Sequence, residues 1–223
     1  MNMGKIIRSK RNTIALQVCE DATLLVRAPL GVGDDVIRKL ILKHHKWIED
    51  KQAEILARNL SFTKKEFVNG EDFFYLGKSY CMKIVKEKNI NDKLVFKDRY
   101  FYLNKKIKNS RKVFIDWYKK KAYQRISERV DWYAQKRGFQ YNKIKISNAQ
   151  KRWGSCSNSG NLNFTWRLVM APMSVIDYVV VHELVHLSEK NHSRSFWNMV
   201  HFLLPKYKKQ REWLKKNGYL LQL

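Results

Sequence analysis

Apolar residues recur along this chain in different rhythms, and each rhythm predicts a different element. Thr13-Ile14-Ala15-Leu16-Gln17-Val18 alternates, turns at Glu20-Asp21, and resumes in Leu24-Leu25-Val26-Arg27 up to Pro29, which predicts a hairpin. From Asp34 the apolar positions Val36, Ile37, Leu40, Ile41, Trp47 and Ile48 fall at helical spacing. A helix is therefore expected from a cap at Asp34 or Asp35 to about Arg58. Short strand patterns return at Phe73–Leu76, Tyr80–Val85, Leu94–Phe96 and Tyr100–Leu103, separated by turn residues at Gly77-Lys78, Asn89 to Asp92 and Lys97-Asp98.

Between Ser110 and Arg137, Val113, Ile115, Trp117, Tyr118, Ala122, Ile126, Val130 and Tyr133 predict one long amphipathic helix, stopped by Gly138. A strand at Lys143 to Ser147, a loop at Arg152-Trp153-Gly154-Ser155-Cys156 and a strand at Asn161 to Leu168 follow. Pro172 and Ser174 then open another helix, where Ser174-Val175-Ile176-Asp177 matches a capping box. The pattern is that of an α+β protein, with a small N-terminal β-rich region carrying one helix over residues 1–108 and a second domain over 109–223. The seam is expected near residues 104 to 112.

Composition narrows the class. With 223 residues, 44% of them hydrophobic, the chain buries a core, and no stretch reaches the ~18 uninterrupted apolar residues of a membrane span. Met1 to Arg8 runs into charge rather than an apolar signal core, so a cytoplasmic protein is expected. Cys19, Cys81 and Cys156 are odd in number and far apart, which suits a reducing compartment and neither a disulfide framework nor a thiolate zinc knot. The net charge of +25 admits a nucleic-acid partner. Most of that charge is lysine, scattered in pairs such as Lys64-Lys65, Lys105-Lys106 and Lys208-Lys209, which also fits a merely solvated surface.

The chemistry lies in His182-Glu183-Leu184-Val185-His186. At roughly 3.6 residues per turn, histidines four apart share one helix face, so both imidazoles reach a single ion with a carboxylate beside it. Val180, Val181, Leu184, Val185 and Leu187 bury the helix around them. Two histidines and a glutamate buried without a common partner would cost several kcal/mol, and a metal removes that cost. Zinc needs a third protein ligand and an open position for water. His192, Glu189 and His201 are the candidates. On a continuous helix His192 would lie about 600° beyond His186 and off the ligand face, so it ligates only if the helix stops near Asn191 and Ser193 caps the next one. Imidazole suits zinc, which favours His192. Glu183 is then the general base of an amide hydrolysis. Asp177 is expected to cap its helix, with a contact to an imidazole as the alternative.

Around this site, Trp153 and Cys156 are expected to pack. Arg152, Gly154 and Asn163 are the candidate substrate contacts, because a strand beside the cleft could receive an extended peptide. Adjacent His44 and His45 cannot face one ion and read as solvated. The same chemistry would serve a non-peptide amide, and a zinc closed by a fourth ligand would instead be structural in a nucleic-acid-binding module.

Arg152-Trp153-Gly154-Ser155-Cys156, Asn161 to Leu168, Tyr178 to Leu187, Asn191-His192-Ser193 and Phe196-Trp197 together resemble the YgjP-like metallopeptidase family, and the likeness extends into the N-terminal half through Ala28-Pro29, Trp47-Ile48 and Gly70 to Gly77. That family is similar to the SprT-like and WLM minimal zincins. The resemblance implies a minimal gluzincin-like core, zinc held by His182, His186 and His192, a catalytic Glu183 and a protein or peptide substrate. Thr165 stands where the family pattern has Asn, and Glu189 stands where metzincins have glycine, which separates this chain from them.

Overall fold

The alternating N-terminal segments form the expected hairpin, β2 (Ala15–Val18) antiparallel to β3 (Leu24–Pro29), and β3 also pairs in parallel with β1 (Lys5–Ser9). The structure is a computed structural model that describes residues 5–61, 65–86 and 92–223; part of the turn expected at Asn89 to Asp92 lies outside them. Instead of one helix to Arg58 there are two, α1 (Asp34–Lys43) and α2 (His45–Ser61), parted at His44. Gly33, which has no side chain to offer, is the N-cap of α1, and the Asp34 carboxylate is taken by Arg8. Leu24, Val26 and Ala28 point to one face of β3 and close a small core with Ile37, Ile41 and Ile48.

Contacts divide the chain into Met1–Lys64 and Lys65–Leu223. The second unit begins with β4 (Asp72–Tyr75), β5 (Lys78–Val85), β6 (Leu94–Lys97) and β7 (Tyr100–Asn104), ordered β4-β5-β7-β6, with β5 and β7 parallel. The β4–β5 turn takes positive φ at both Leu76 and Gly77, which fits the twist of a two-residue hairpin loop. It also docks: Leu76 and Gly77 donate backbone N–H to Val169 and Met170, and a methyl on Gly77 would meet the Pro172 ring at 2.6 Å.

Helix α3 (Ser110–Arg137) has the expected bounds, with Asn109 capping the Lys112 N–H and Gly138 in the left-handed conformation. Phe114, Tyr118, Ala122, Ile126, Val130 and Tyr133 form its buried stripe. Phe114 stacks on Phe73 with centroids 4.2 Å apart. The β4–β7 sheet and α3 thus share one core, and a boundary after residue 108 would cut through it; the division lies after Lys64 instead.

A second sheet, β8 (Ile144–Ser147), β9 (Gly154–Cys156) and β10 (Leu162–Thr165), is ordered β8-β10-β9. The segment expected to be only a loop therefore ends in an edge strand. The strand expected to reach Leu168 stops at Thr165, where Trp166–Met170 tightens into a 3-10 turn. Then come α4 (Met173–Val185), α5 (Arg194–Leu203) and α6 (Tyr207–Asn217), completing an α+β fold. Among the described residues no helix is long and apolar enough to cross a membrane.

Candidate metal centre

Helix α4 is apolar on nearly every side, with Val175, Ile176, Val179, Val180, Val181, Leu184 and Val185 all buried. The expected capping box does not form. Pro172 is the N-cap and its carbonyl already accepts from Val175 and Ile176, which places Ser174 inside the first turn. Asp177 instead takes two hydrogen bonds from Arg129 of α3, from Nε to Oδ1 and from Nη2 to Oδ2 at 3.1 Å. A half-buried carboxylate gains more from a guanidinium fork than from one backbone N–H.

The helix stops at Val185 and the backbone turns through Leu187–Glu189, whose N–H groups return to the carbonyls of Leu184 and Val185. That turn brings His192 back over the helix. Its Nε2 lies 3.0 Å from His182 Nε2, and the candidate donor atoms of His182, His186 and His192 all fall within 4.8 Å of one another. Tetrahedral zinc with bonds of ~2.0–2.1 Å spaces its nitrogens about 3.3 Å apart, so the set matches that scale. His186 donates from Nδ1 to the Glu189 carbonyl at 2.9 Å, which fixes its ring and leaves Nε2 as the lone-pair nitrogen.

Ser193 caps α5 by accepting from Phe196 N–H, and Phe196 sits beneath all three imidazoles at centroid distances of 4.9, 4.6 and 4.7 Å. Trp197 stacks on His192. Burial, helped by the neighbouring imidazoles, pushes His182 down to about 3, and burial lowers His192 as well. Neutral imidazoles keep the lone pairs that a metal requires.

Glu183 is only 5% exposed. Burial pushes its carboxyl up to about 8, against an opposing pull from the positive charge of Arg152. It lines a cavity of about 260 Å³ together with Trp153, Gly154, Tyr178, His182 and Arg211. The register of β9 with β10 pairs Gly154 with Phe164 and Ser155 with Asn163, so alternation puts Gly154 on the α4 face and Asn163 on the opposite face. Arg152 is exposed just before β9.

Other expectations sort themselves by distance. Glu189 turns its carboxylate to the Ser195 hydroxyl at 2.8 Å, and His201 is exposed beside Tyr207. His44 and His45 are exposed. Trp153 and Cys156 are half-buried against the core, and burial raises the Cys156 thiol. Phe196, which the sequence places as core behind His192, is fully buried there. Sequence reasoning passed over Arg211, a cavity-lining cation held over the Trp197 ring at 4.8 Å, because it reads as one more charge on a basic helix.

A family model described as YgjP-like, metallopeptidase domain, matches residues 12–217. Among solved structures, that of the metallopeptidase zymogen of Pyrococcus abyssi abylysin aligns over 93% of its own chain and 40% of this one, at 21% identity and a TM-score of 0.37. No curated protein matches the sequence.

Proposed function

This chain belongs to the YgjP-like metallopeptidase family, and from that premise we propose that it hydrolyses peptide bonds at a zinc ion held by His182, His186 and His192, with Glu183 as the general base. The observation that carries this reading is the meeting of three imidazoles on one point beside a carboxyl that opens to a cavity.

Held by His182, His186 and His192, a zinc ion would supply Lewis acidity toward a water and the scissile carbonyl. The Glu183 carboxylate takes the proton of the attacking water at an Oε atom and passes it to the leaving amine nitrogen as the C–N bond breaks. Arg152 favours the ionised form of that carboxyl by its charge. β9 pairs only with β10 and presents its other edge, so an extended peptide can add there as a strand beside Glu183. Arg152 and Gly154 border that path. Asn163 faces away from Glu183, which suits it to supporting β9 from behind rather than touching the scissile bond. Cys19, Cys81 and Cys156 are all free, in keeping with a reducing cytoplasm.

The test is zinc content and cleavage of a fluorogenic peptide library by the native chain and Glu183→Gln. The variant should hold zinc and lose cleavage by about 100-fold or more. Loss of zinc along with cleavage would make Glu183 a structural residue.

A further inference from the structure

A hollow in the second unit lies away from the histidines, between the β6–β7 hairpin, the segment after β7 and α3. It measures about 1010 Å³. Seven of its seventeen lining residues are Lys or Arg, twice the share in the chain, where 45 of 223 are. The scattered positive charge of the sequence is therefore gathered here by the fold. Among the described lining residues Asp92 and Asp116 are the carboxylates, and Asp116 is engaged by Lys112 at 2.7 Å. Among the described residues Lys93, Lys108, Lys120 and Lys121 have no carboxylate within ion-pair distance, and they border the groove from both the sheet side and the helix side.

The groove is also aromatic. Trp117 and Phe96, half-buried with ring centroids 6.0 Å apart, line it, and Lys121 Nζ stands 5.9 Å from the Trp117 ring. A cationic border tracks phosphates while aromatic rings offer bases a stacking surface, and together these are what binding of a single strand without sequence preference requires. Both rings already meet Tyr75 edge-on, so an acidic peptide would satisfy the lysines and leave their exposed surface uncovered; a duplex keeps its bases stacked on one another.

We propose that the groove between the β6–β7 hairpin and α3 binds single-stranded nucleic acid through Lys93, Lys108, Lys120, Lys121, Trp117 and Phe96. Binding there does not depend on the peptidase reading. The experiment is fluorescence anisotropy of a labelled 15-mer of thymidine at 0.15 M salt, with the full chain, a Lys108→Glu/Lys120→Glu variant and an equally charged control, Lys208→Glu/Lys209→Glu, on exposed positions of α6. Circular dichroism confirms that each variant folds. The groove variant should bind at least tenfold more weakly and the control less than threefold, with native affinity falling linearly in log salt. A 15-base-pair duplex and a polyglutamate peptide should compete at least tenfold less well than the single strand. Equal losses in the two variants, equal competition by the duplex or the peptide, or no binding at this salt would each overturn the proposal.

Discussion

Gly154 lies so close to Glu183 that a methyl on its α-carbon would stand 2.6 Å from Oε1 and 2.8 Å from Cδ. The backbone of Gly154 is not in the left-handed region, so an alanine there tests crowding alone. The carboxyl is buried, and the free space beside it is the cavity it lines, so yielding to a methyl would move it off its line to the imidazoles. Gly154→Ala should therefore lower kcat by about 100-fold, the scale expected when a catalytic group is displaced by about 1 Å. Zinc content should not change. Full activity in this variant would show that the carboxyl works from another position.

The turn after α4 sets His192 Nε2 3.0 Å from His182 Nε2. His192→Ala should weaken zinc affinity by at least about 100-fold, beyond the ~10–100-fold cost of losing an outer partner. His201→Ala and Glu189→Gln should leave it unchanged, because His201 sits beside Tyr207 and the Glu189 carboxylate is engaged by Ser195. Competition against a chromophoric chelator measures all three. A large loss in Glu189→Gln would place the carboxylate on the metal.

Local signals carried much of this structure. Gly138 and a stripe repeating every three or four residues marked α3, and Asn191 with Ser193 marked the break that frees His192. What was not legible depends on partners distant in sequence. β1 is short, ends in charge or polarity, and becomes a strand only beside β3. Gly154 becomes an edge strand only through β10, and its contact with Glu183 follows from that pairing. Asp177 looked like a cap because its neighbours are on the page of sequence, whereas Arg129 stands 48 residues earlier. The core shared by Phe73 and Phe114 likewise erased a seam that the strand-to-helix change suggested.

Tyr141 gives a pH signature for the turn that leads from α3 into β8. Burial first, then its hydrogen bond to Asp131 and the charge of that carboxylate, push the phenol up to about 12. In the unfolded chain it ionises near ~10. The folded pKa is the higher one, so the stabilisation is fully present below pH ~10 and is lost as pH rises through 12. Tyr141→Phe should cost about 1 kcal/mol at pH 8, and the gap between native and variant in urea unfolding should shrink above pH ~10. A constant gap from pH 8 to 11 would show that the fold does not raise the phenol's pKa, and no gap at pH 8 would show that the bond to Asp131 contributes nothing.

Arg129 and Asp177 tie α3 to the helix that carries the histidines, and both side chains are largely buried, at 25% and 16% exposure. Removing one partner leaves the other charge poorly solvated, so Asp177→Ala should destabilise the fold by about 2 kcal/mol, below the ~3–5 of a fully buried pair because solvent still reaches both groups. Arg129→Met/Asp177→Leu should restore most of the loss, since apolar replacement removes the desolvation cost together with the attraction. Zinc affinity then separates two roles for the pair. If the double variant is stable and binds zinc as the native chain does, the ion pair serves the fold only. If it is stable but binds zinc more weakly, the guanidinium fork sets the rotation of α4, and the aim of His182 and His186 depends on a contact made five residues before His182 on the same helix.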